Sequence, residues 1–509
     1  MHRVRLAPAA LGALALLASP AAADTLEQAL IAAYQNNPVL EGARADLRAT
    51  DENVPIQRAF GRPNVSSDVT YTEILKQAQT NFINPDRSVN AGVSLSVPLY
   101  RGGAVRNGIR AAQERVAAGR ADLRATESAI FNQVVAAYMD VIGQEAIVAL
   151  SRNQVEVLEV NLQATSDRFE IGDLTRTDVA QSESRLALAR SDLAESQAAL
   201  VGARERYVQL VGQAPITLEP PPPLPGLPAN VDDAVDYAVT HNPDILASIE
   251  RAQAAGYDIR VAGADRLPQV DAFTQGGYQN YLGTLGSIPG EASNPQTVTS
   301  AQAGVRLTLP LFQGGLVAAQ RRQAQAQASS ALENAVAIER DVVQQVRSAF
   351  TNWQAALAVI ESSQVAVEAA ELSLEGVQAE NTVGNRTILD ILDTQRDLQI
   401  AQVDLVSARR NAYVAAFTLL AAMGRAEARD LGLDGEVPLY DPAANYERVA
   451  GKWWDWDNDP DPVVQTSGTV DIPAQDAEIP TEEQPGTGAN QILEDTQPVQ
   501  QGQTAQPRP

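Results

Sequence analysis

Cysteine is absent from this chain of 509 residues. Disulfides, thiolate metal sites, thiol nucleophiles and a lipidated N-terminal cysteine are therefore excluded together. Histidine is scarce: only His2 and His241 occur, so the commonest general base and zinc ligand are nearly missing. His241 precedes Asn242-Pro243, the pattern of a helix start, and reads as a surface or capping residue. Net positive charge is lacking as well. The formal charge is −25, and no basic cluster suits a nucleic-acid partner. Long apolar runs are also missing. Ala412–Gly424 is uncharged throughout, but a run so short suits a buried helix rather than a membrane span. If this chain crosses a membrane, it must do so with strands.

The two ends differ from the middle. His2, Arg3 and Arg5 precede an apolar stretch from Leu11 to Ala18, and Ala21-Ala22-Ala23 offers small residues for cleavage. That order predicts a secretory signal over residues 1–23, with Asp24 as the new N-terminus. At the other end, residues 425–509 hold 17 Asp/Glu against 5 Arg/Lys, a net −12 and about half the total. Residues 425–456 include Tyr440, Tyr446, Trp453, Trp454 and Trp456 and are expected to pack at the midpoint of the helices. The Trp trio also fits a membrane belt, but its distance from the strands in sequence favours packing or recognition. From 457 to 509 the chain is rich in Pro, Gln, Gly, Thr and acid, and is expected to be disordered.

Between the ends lies a duplication. Val97-Pro98-Leu99-Tyr100 with Gly102-Gly103 recurs as Leu309-Pro310-Leu311-Phe312 with Gly314-Gly315. The offset that carries 97 to 309 also matches Gly172 to Gly384, Asp178 to Asp390, and Val211-Gly212 to Met423-Gly424. Upstream, a slightly shorter offset, the one from 37 to 242, matches Asn37-Pro38 to Asn242-Pro243 and Arg62-Pro63 to Leu267-Pro268. This divides the chain into a first repeat over 24–229 and a second over 230–424.

Each repeat reads helix, helix, two strands, long helix, turn, helix. Thr25-x-x-Gln28 and Asn37-Pro38 are helix starts, with the second helix running to about Phe60. Val65, Ser67, Val69 and Tyr71 alternate with polar residues, as do Val89, Ala91, Val93, Leu95 and Val97. In the second repeat, Gln269 to Tyr281 and the alternation Val305, Leu307, Leu309, Leu311 are the equivalents. Such alternation suits lipid-facing barrel strands or a half-buried soluble sheet. Val134, Val141, Val148, Val155, Leu162 and Phe169 recur every seven residues, as do Val346, Trp353, Ile360, Val367 and Leu374. Across the turns, Val179, Leu186, Leu193, Leu200 and Tyr207 keep that spacing, as do Ile391, Leu398, Leu405, Ala412 and Leu419. Sustained heptads mean coiled coils. A helix over 104–171 spans roughly 100 Å, and two shorter helices are needed to pair its length. Four strands cannot close a membrane barrel, so several chains must contribute to one, and spacing leaves two, three or more open.

The strand-to-helix junctions Pro98-Leu99-Tyr100-Arg101-Gly102-Gly103 and Pro310-Leu311-Phe312-Gln313-Gly314-Gly315, joined to Arg168-Phe169-Glu170-Ile171-Gly172 and Val383 to Asp393, resemble the TolC-like outer membrane efflux protein family. The likeness covers about residues 24–456. It implies a mainly α protein with a membrane β-barrel. Three chains, each giving four strands, form a 12-stranded barrel continued by a long α-helical coiled-coil barrel. It further implies a homotrimer in outer-membrane lipid with a large periplasmic portion. The tips around Gly172 and Gly384 would contact a periplasmic adaptor that links the duct to an inner-membrane transporter. Such ducts serve drug efflux or type I protein secretion, need no cofactor and catalyse no reaction.

The resemblance assigns a periplasmic constriction to Asp390 and Asp393, and a tether between neighbouring coiled coils to Arg386 with Thr177 and Asp178. An aromatic of that network is replaced here by Asn381, while the first repeat has Phe169 at the equivalent place. Taken alone, Asp390, Asp393 and Asp397 put three carboxylates on one helix face, which would attract cations where copies converge. Thr387-x-x-Asp390 and Thr175-x-x-Asp178 also read as helix caps, so Asp390 has two readings. Asp393 stands where the first repeat has Gln181, and Arg386 where it has Leu174. A solvated surface role is the other reading of Arg386. A periplasmic coiled-coil scaffold without a channel is the alternative function. A secreted enzyme has no nucleophile, base or pocket motif behind it.

Overall fold

The computed structural model describes residues 24–76, 84–287 and 292–479. The proposed signal at 1–23 and the end of the tail, 480–509, lie outside the described residues. The first repeat opens with α1 (Leu26–Asn36), started by a reciprocal Thr25–Gln28 capping box, and α2 (Pro38–Asp51), capped by Asn37 with Pro38 in the first turn. The expected single helix to Phe60 is instead broken. After α2 comes α3 (Asn53–Ala59). Pro55 lacks an N–H and its ring crowds the carbonyl four residues back, so a continuous helix through Glu52 is penalised.

Two strands follow, β1 (Asn64–Glu73) and β2 (Arg87–Arg101), then the long hairpin α4 (Ala104–Glu170) and α5 (Arg176–Val211). The second repeat supplies α6 (Val231–His241), α7 (Pro243–Ala262), β3 (Gln269–Asn280), β4 (Thr297–Thr308), α8 (Leu316–Thr382) and α9 (Ile388–Met423). The counterpart of Pro55 at the upstream offset is Arg260, and α7 runs unbroken. Among the described residues a short α10 (Ala444–Val449) is the last helix.

The strands form one antiparallel sheet in the order β1-β2-β3-β4. Asn64 faces Ser96, Val93 faces Gly276, and Gln269 faces Thr308. Pro98 lies inside β2 at a register irregularity, where the strand continues to Arg101 against β3. Its counterpart Pro310 does not lie in a strand: β4 starts earlier than the alternation suggested and ends at Thr308. The reason is pairing. β3 begins at Gln269, which Thr308 already faces, so Leu309 to Phe312 have no partner left in β3 and are largely exposed. The register of β2, by contrast, sets Val97 to Arg101 against β3.

The core sits midway along the helices. Phe131, Val134, Tyr138, Val141 and Ile142 of α4 pack against Leu30 and Tyr34 of α1, Leu200 and Tyr207 of α5, and Phe417 of α9. The buried Tyr138 hydroxyl donates to the Glu219 carbonyl at 2.6 Å, tying in the linker between repeats. α7 packs on both α4 and α8, so the second repeat's short helix sits beside the first repeat's long one. Arg115 of α4 meets Asp258 of α7 at 2.5 Å.

Residues 426–440 pack on the middle of the helices, with Ala426, Ala428 and Leu433 in the core and Tyr440 against it, whereas Trp453, Trp454 and Trp456 are exposed. Here Glu127 of α4 accepts the Ala428 N–H at 2.5 Å. Burial, outweighing that hydrogen bond, pushes the Glu127 carboxyl up to about 7 from the usual 4.5. Between those values the folded protein holds a proton that the unfolded chain has lost. The associated stability is fully present below about 4.5 and is lost as pH rises through 7, by at most about 1.4 kcal/mol per pH unit. Glu127→Gln is expected to flatten the gain in melting temperature seen on going from about pH 8 to about pH 5. Identical pH profiles for the two proteins would remove Glu127 as the cause.

Of the tail from 457 onward, expected to be disordered, residues 457–479 are described. They lack helix and strand, yet the end of this stretch is bound to the helices. The Arg204 guanidinium, buried against Glu145 at 2.7 Å, donates to the carbonyls of Asp476 at 2.8 Å and Glu478 at 2.9 Å. Ala477 and Ile479 pack onto the core. Composition missed this because a single buried arginine, satisfied by main-chain carbonyls, holds an otherwise polar segment.

Candidate gate at the coiled-coil tips

The two helical hairpins reverse at equivalent turns. Gly172 has φ +83° and Gly384 φ +82°, a left-handed conformation that favours glycine. Each turn closes by the same pair of main-chain bonds: Gly172 to Phe169 and Asp173 to Arg168, Gly384 to Asn381 and Asn385 to Glu380. Both glycines are exposed, as are Ile171 (80 %) and Val383 (71 %) beside them. The tips therefore present apolar side chains on tight, solvent-facing turns.

After each turn a capping box starts the returning helix. Asp178 Oδ2 accepts from the Thr175 N–H at 2.9 Å and hydroxyl at 2.7 Å. Asp390 Oδ2 accepts from the Thr387 N–H at 2.8 Å and hydroxyl at 2.7 Å. These bonds hold both carboxyls below the usual range. At Asp178 the Thr175 main chain dominates; at Asp390 it is the Thr387 hydroxyl, with the Arg386 charge a lesser influence. Both aspartates are thus ionised caps, and Asp390 keeps its Oδ1 for other contacts.

The structure separates the residues the resemblance grouped. Within the chain Arg386 does not meet Thr177 or Asp178. Its Nε donates to Glu380 Oε2 at 2.7 Å across its own turn, which raises the guanidinium's affinity for its proton. Asn381 contributes by donating to the Arg386 carbonyl at 2.7 Å. Thr177 is exposed on the other hairpin. Asp393, unlike Asp390, reaches across: it is paired with Arg185 of α5. Arg185 and Glu380 were missed by sequence reasoning. Arg185 differs in charge from its counterpart Asp397, but so does Arg168 from Glu380, and those two pair within their own turns, so the reversal alone gave no signal.

Beneath these charges Ile388 and Leu392 of α9 pack against Val155, Leu158, Leu162, Leu186 and Ala189 of the first hairpin. Asn161 donates to Gln395 at 3.0 Å. The start of α9, which carries Asp390 and Asp393, is thereby seated on α4 and α5. A small apolar patch and a few polar bonds hold this contact, a seam that separates more readily than the middle core. Among the described residues no group of three His, Cys, Asp or Glu is placed to hold a metal ion. The arrangement sets charged side chains over a small apolar seam.

The pattern of the family described as Outer membrane efflux protein matches residues 29–213 and 234–425. The Outer membrane efflux protein BepC of Brucella suis biovar 1 (strain 1330) is 33 % identical over 439 residues, covering 86 % of this chain and 93 % of that one. Outer membrane protein TolC of Escherichia coli (strain K12) is 27 % identical over 424 residues, covering 80 % and 84 %. Among solved structures, the Campylobacter jejuni CmeC outer membrane channel superposes with a TM-score of 0.69 at 16 % identity, covering 84 % of this chain and 89 % of that one. The chain belongs to the outer membrane efflux protein family, and it is an outer-membrane exit duct with the TolC-like fold.

Proposed function

We propose that three copies of this chain form one closed duct, docked at its tips to a periplasmic adaptor and through it to an inner-membrane transporter. The observation that carries this is the open sheet: among the described residues it has four strands, with β1 and β4 both unpaired on their outer edges. Unpaired main-chain groups are forbidden in hydrocarbon, and barrels need about eight strands or more. Pairing β4 of one copy with β1 of the next satisfies both edges.

The long helices support the same reading. α4 and α8 are equally long, yet buried positions run along nearly all of α4, from Asn107 to Thr165, while in α8 they are sparse and stop at Ala349. Positions equivalent to the fully buried Val141 and Val148 are the half-buried Trp353 and Ile360. The flank of α8 lacks the neighbour that α4 has within the chain, and a second copy supplies it.

In such an assembly Asp390 and Asp393 of three copies approach one axis as the constriction. Arg386 then has Thr177 and Asp178 of a neighbouring copy, rather than of its own chain, as tether partners. Opening moves the seam at Ile388 and Leu392. The exposed Ile171 and Val383 at the turns are the adaptor's contacts. Substrates pass without energy from the duct itself, and efflux is favoured over protein secretion by the name carried by the relative BepC. Residues 1–23 act as the export signal.

Purified protein in a planar bilayer is the test, together with the mass of its complex in detergent. Expected are a complex of three chains and a small, cation-preferring conductance. A monomer that fractionates with the periplasm and conducts nothing would instead identify a coiled-coil scaffold.

A further inference from the structure

Trp453, Trp454 and Trp456 are the remaining sequence feature that neither the core nor the tips use. They are 71 %, 66 % and 81 % exposed, which is unusual for three large apolar rings so close together in sequence. Their place in the fold differs from their place in the sequence. Arg62 donates to the Lys452 carbonyl at 2.5 Å, and Arg58 donates to the Ala450 carbonyl. Arg62 lies just before Asn64, where β1 begins. The trio therefore sits at the end of the sheet from which the helices depart.

The same end exposes Phe60, Tyr100 and Phe312, while the far half of the sheet exposes Tyr71 and Tyr278. Among the described residues, none of the strands carries a tryptophan. Two of the trio's acidic neighbours, Asp457 and Asp459, are held back toward the protein. Arg448 pairs with both oxygens of Asp459 at 2.7 Å, and Lys452 meets Asp457 at 3.1 Å. Salt bridging thus reduces the negative charge around the indoles at Asp457 and Asp459, while Asp455 stays between them.

We propose that Trp453, Trp454 and Trp456 form an anchor in the periplasmic leaflet of the outer membrane, inserted at the boundary between lipid headgroups and acyl chains. Tryptophan favours that boundary because its ring is apolar and its N–H is a donor. Barrel strands usually provide such girdles; here the C-terminal segment supplies the indoles, brought back to the sheet from the far end of the chain by Arg62. The assignment rests on the reading that the sheet crosses the membrane.

The sequence has four tryptophans, and the fourth, Trp353, lies in α8 against Phe350. Trp353→Phe thus isolates the trio, and Trp453→Phe/Trp454→Phe/Trp456→Phe isolates Trp353. Each full-length oligomer is placed in nanodiscs of phosphatidylcholine brominated either high or low on the acyl chains. Expected is about twofold quenching of the trio by the shallow bromines, and none of Trp353. Val69→Trp, with all four tryptophans changed to Phe, reports on the sheet through an exposed position of β1. If Val69→Trp is quenched by deep bromines and the trio is not, the anchor is wrong and the spanning sheet stands; the trio is then covered by a neighbouring copy or lies in water. If neither is quenched, the spanning sheet fails and the anchor with it.

Discussion

Changing Asp390 and Asp393 together to asparagine is expected to leave a conducting assembly whose block by multivalent cations is weakened about tenfold. Around a threefold axis these positions contribute six carboxylates, and close like charges concentrate counter-ions strongly. Asparagine keeps an acceptor for Thr387, so the helix start survives while the charge is lost. The single variants separate two contributions. Asp390→Asn removes a capping charge with no cationic partner across the seam, because Arg386 is on Glu380. Asp393→Asn also frees Arg185, leaving an unmatched positive charge beside the constriction. Arg185→Gln should act oppositely, tightening cation block by releasing Asp393 to the pore. Block that is unchanged in the double variant and in Arg185→Gln would place these residues away from the conduction path.

Gly102→Ala is expected to abolish most assembled protein, whereas Gly314→Ala at the equivalent junction costs backbone strain alone. Both glycines have positive φ, +62° and +60°, a conformation that costs an alanine roughly 1–2 kcal/mol. Only at Gly102 does a Cβ also meet the Ala264 carbonyl oxygen, at 2.5 Å, and the Leu267 side chain at 3.0 Å. Those atoms are main chain and the foot of a side chain, so neither can swing aside. At Gly314 nothing lies within 4 Å. The yield of folded oligomer from outer membranes reads the difference. Equal and mild losses would refute the close approach at Gly102. Equal and severe losses would show that a neighbouring copy fills the space at Gly314.

Much of this protein was written in local pattern. The constant offset between the repeats placed both junctions, both tip turns and both long hairpins, because heptads, glycine turns and capping boxes are short-range devices that act within one element. The ends of α4, α5, α8 and α9 follow closely from them. Pro55 could have been read as the break between α2 and α3, since its missing N–H acts locally. The lack of cysteine and the scarcity of histidine narrowed the chemistry, and the duplicated junctions with their tip motif carried the family.

What only the tertiary structure decided are the relations between elements far apart in sequence. Equivalent sequences at 97–100 and 309–312 met different surroundings, so β2 continues past Pro98 while β4 stops before Pro310. Identical capping boxes hold Asp178 and Asp390, but only the packing of α9 on α5 pairs Asp393 with Arg185. Two main-chain carbonyls on Arg204 hold the end of a segment whose composition read as disordered. Arg58 and Arg62 carry the three indoles from the far end of the chain to the foot of the sheet. Local sequence sets which element forms; which faces meet depends on burial and charge satisfied between distant parts of the chain, and no short pattern encodes that.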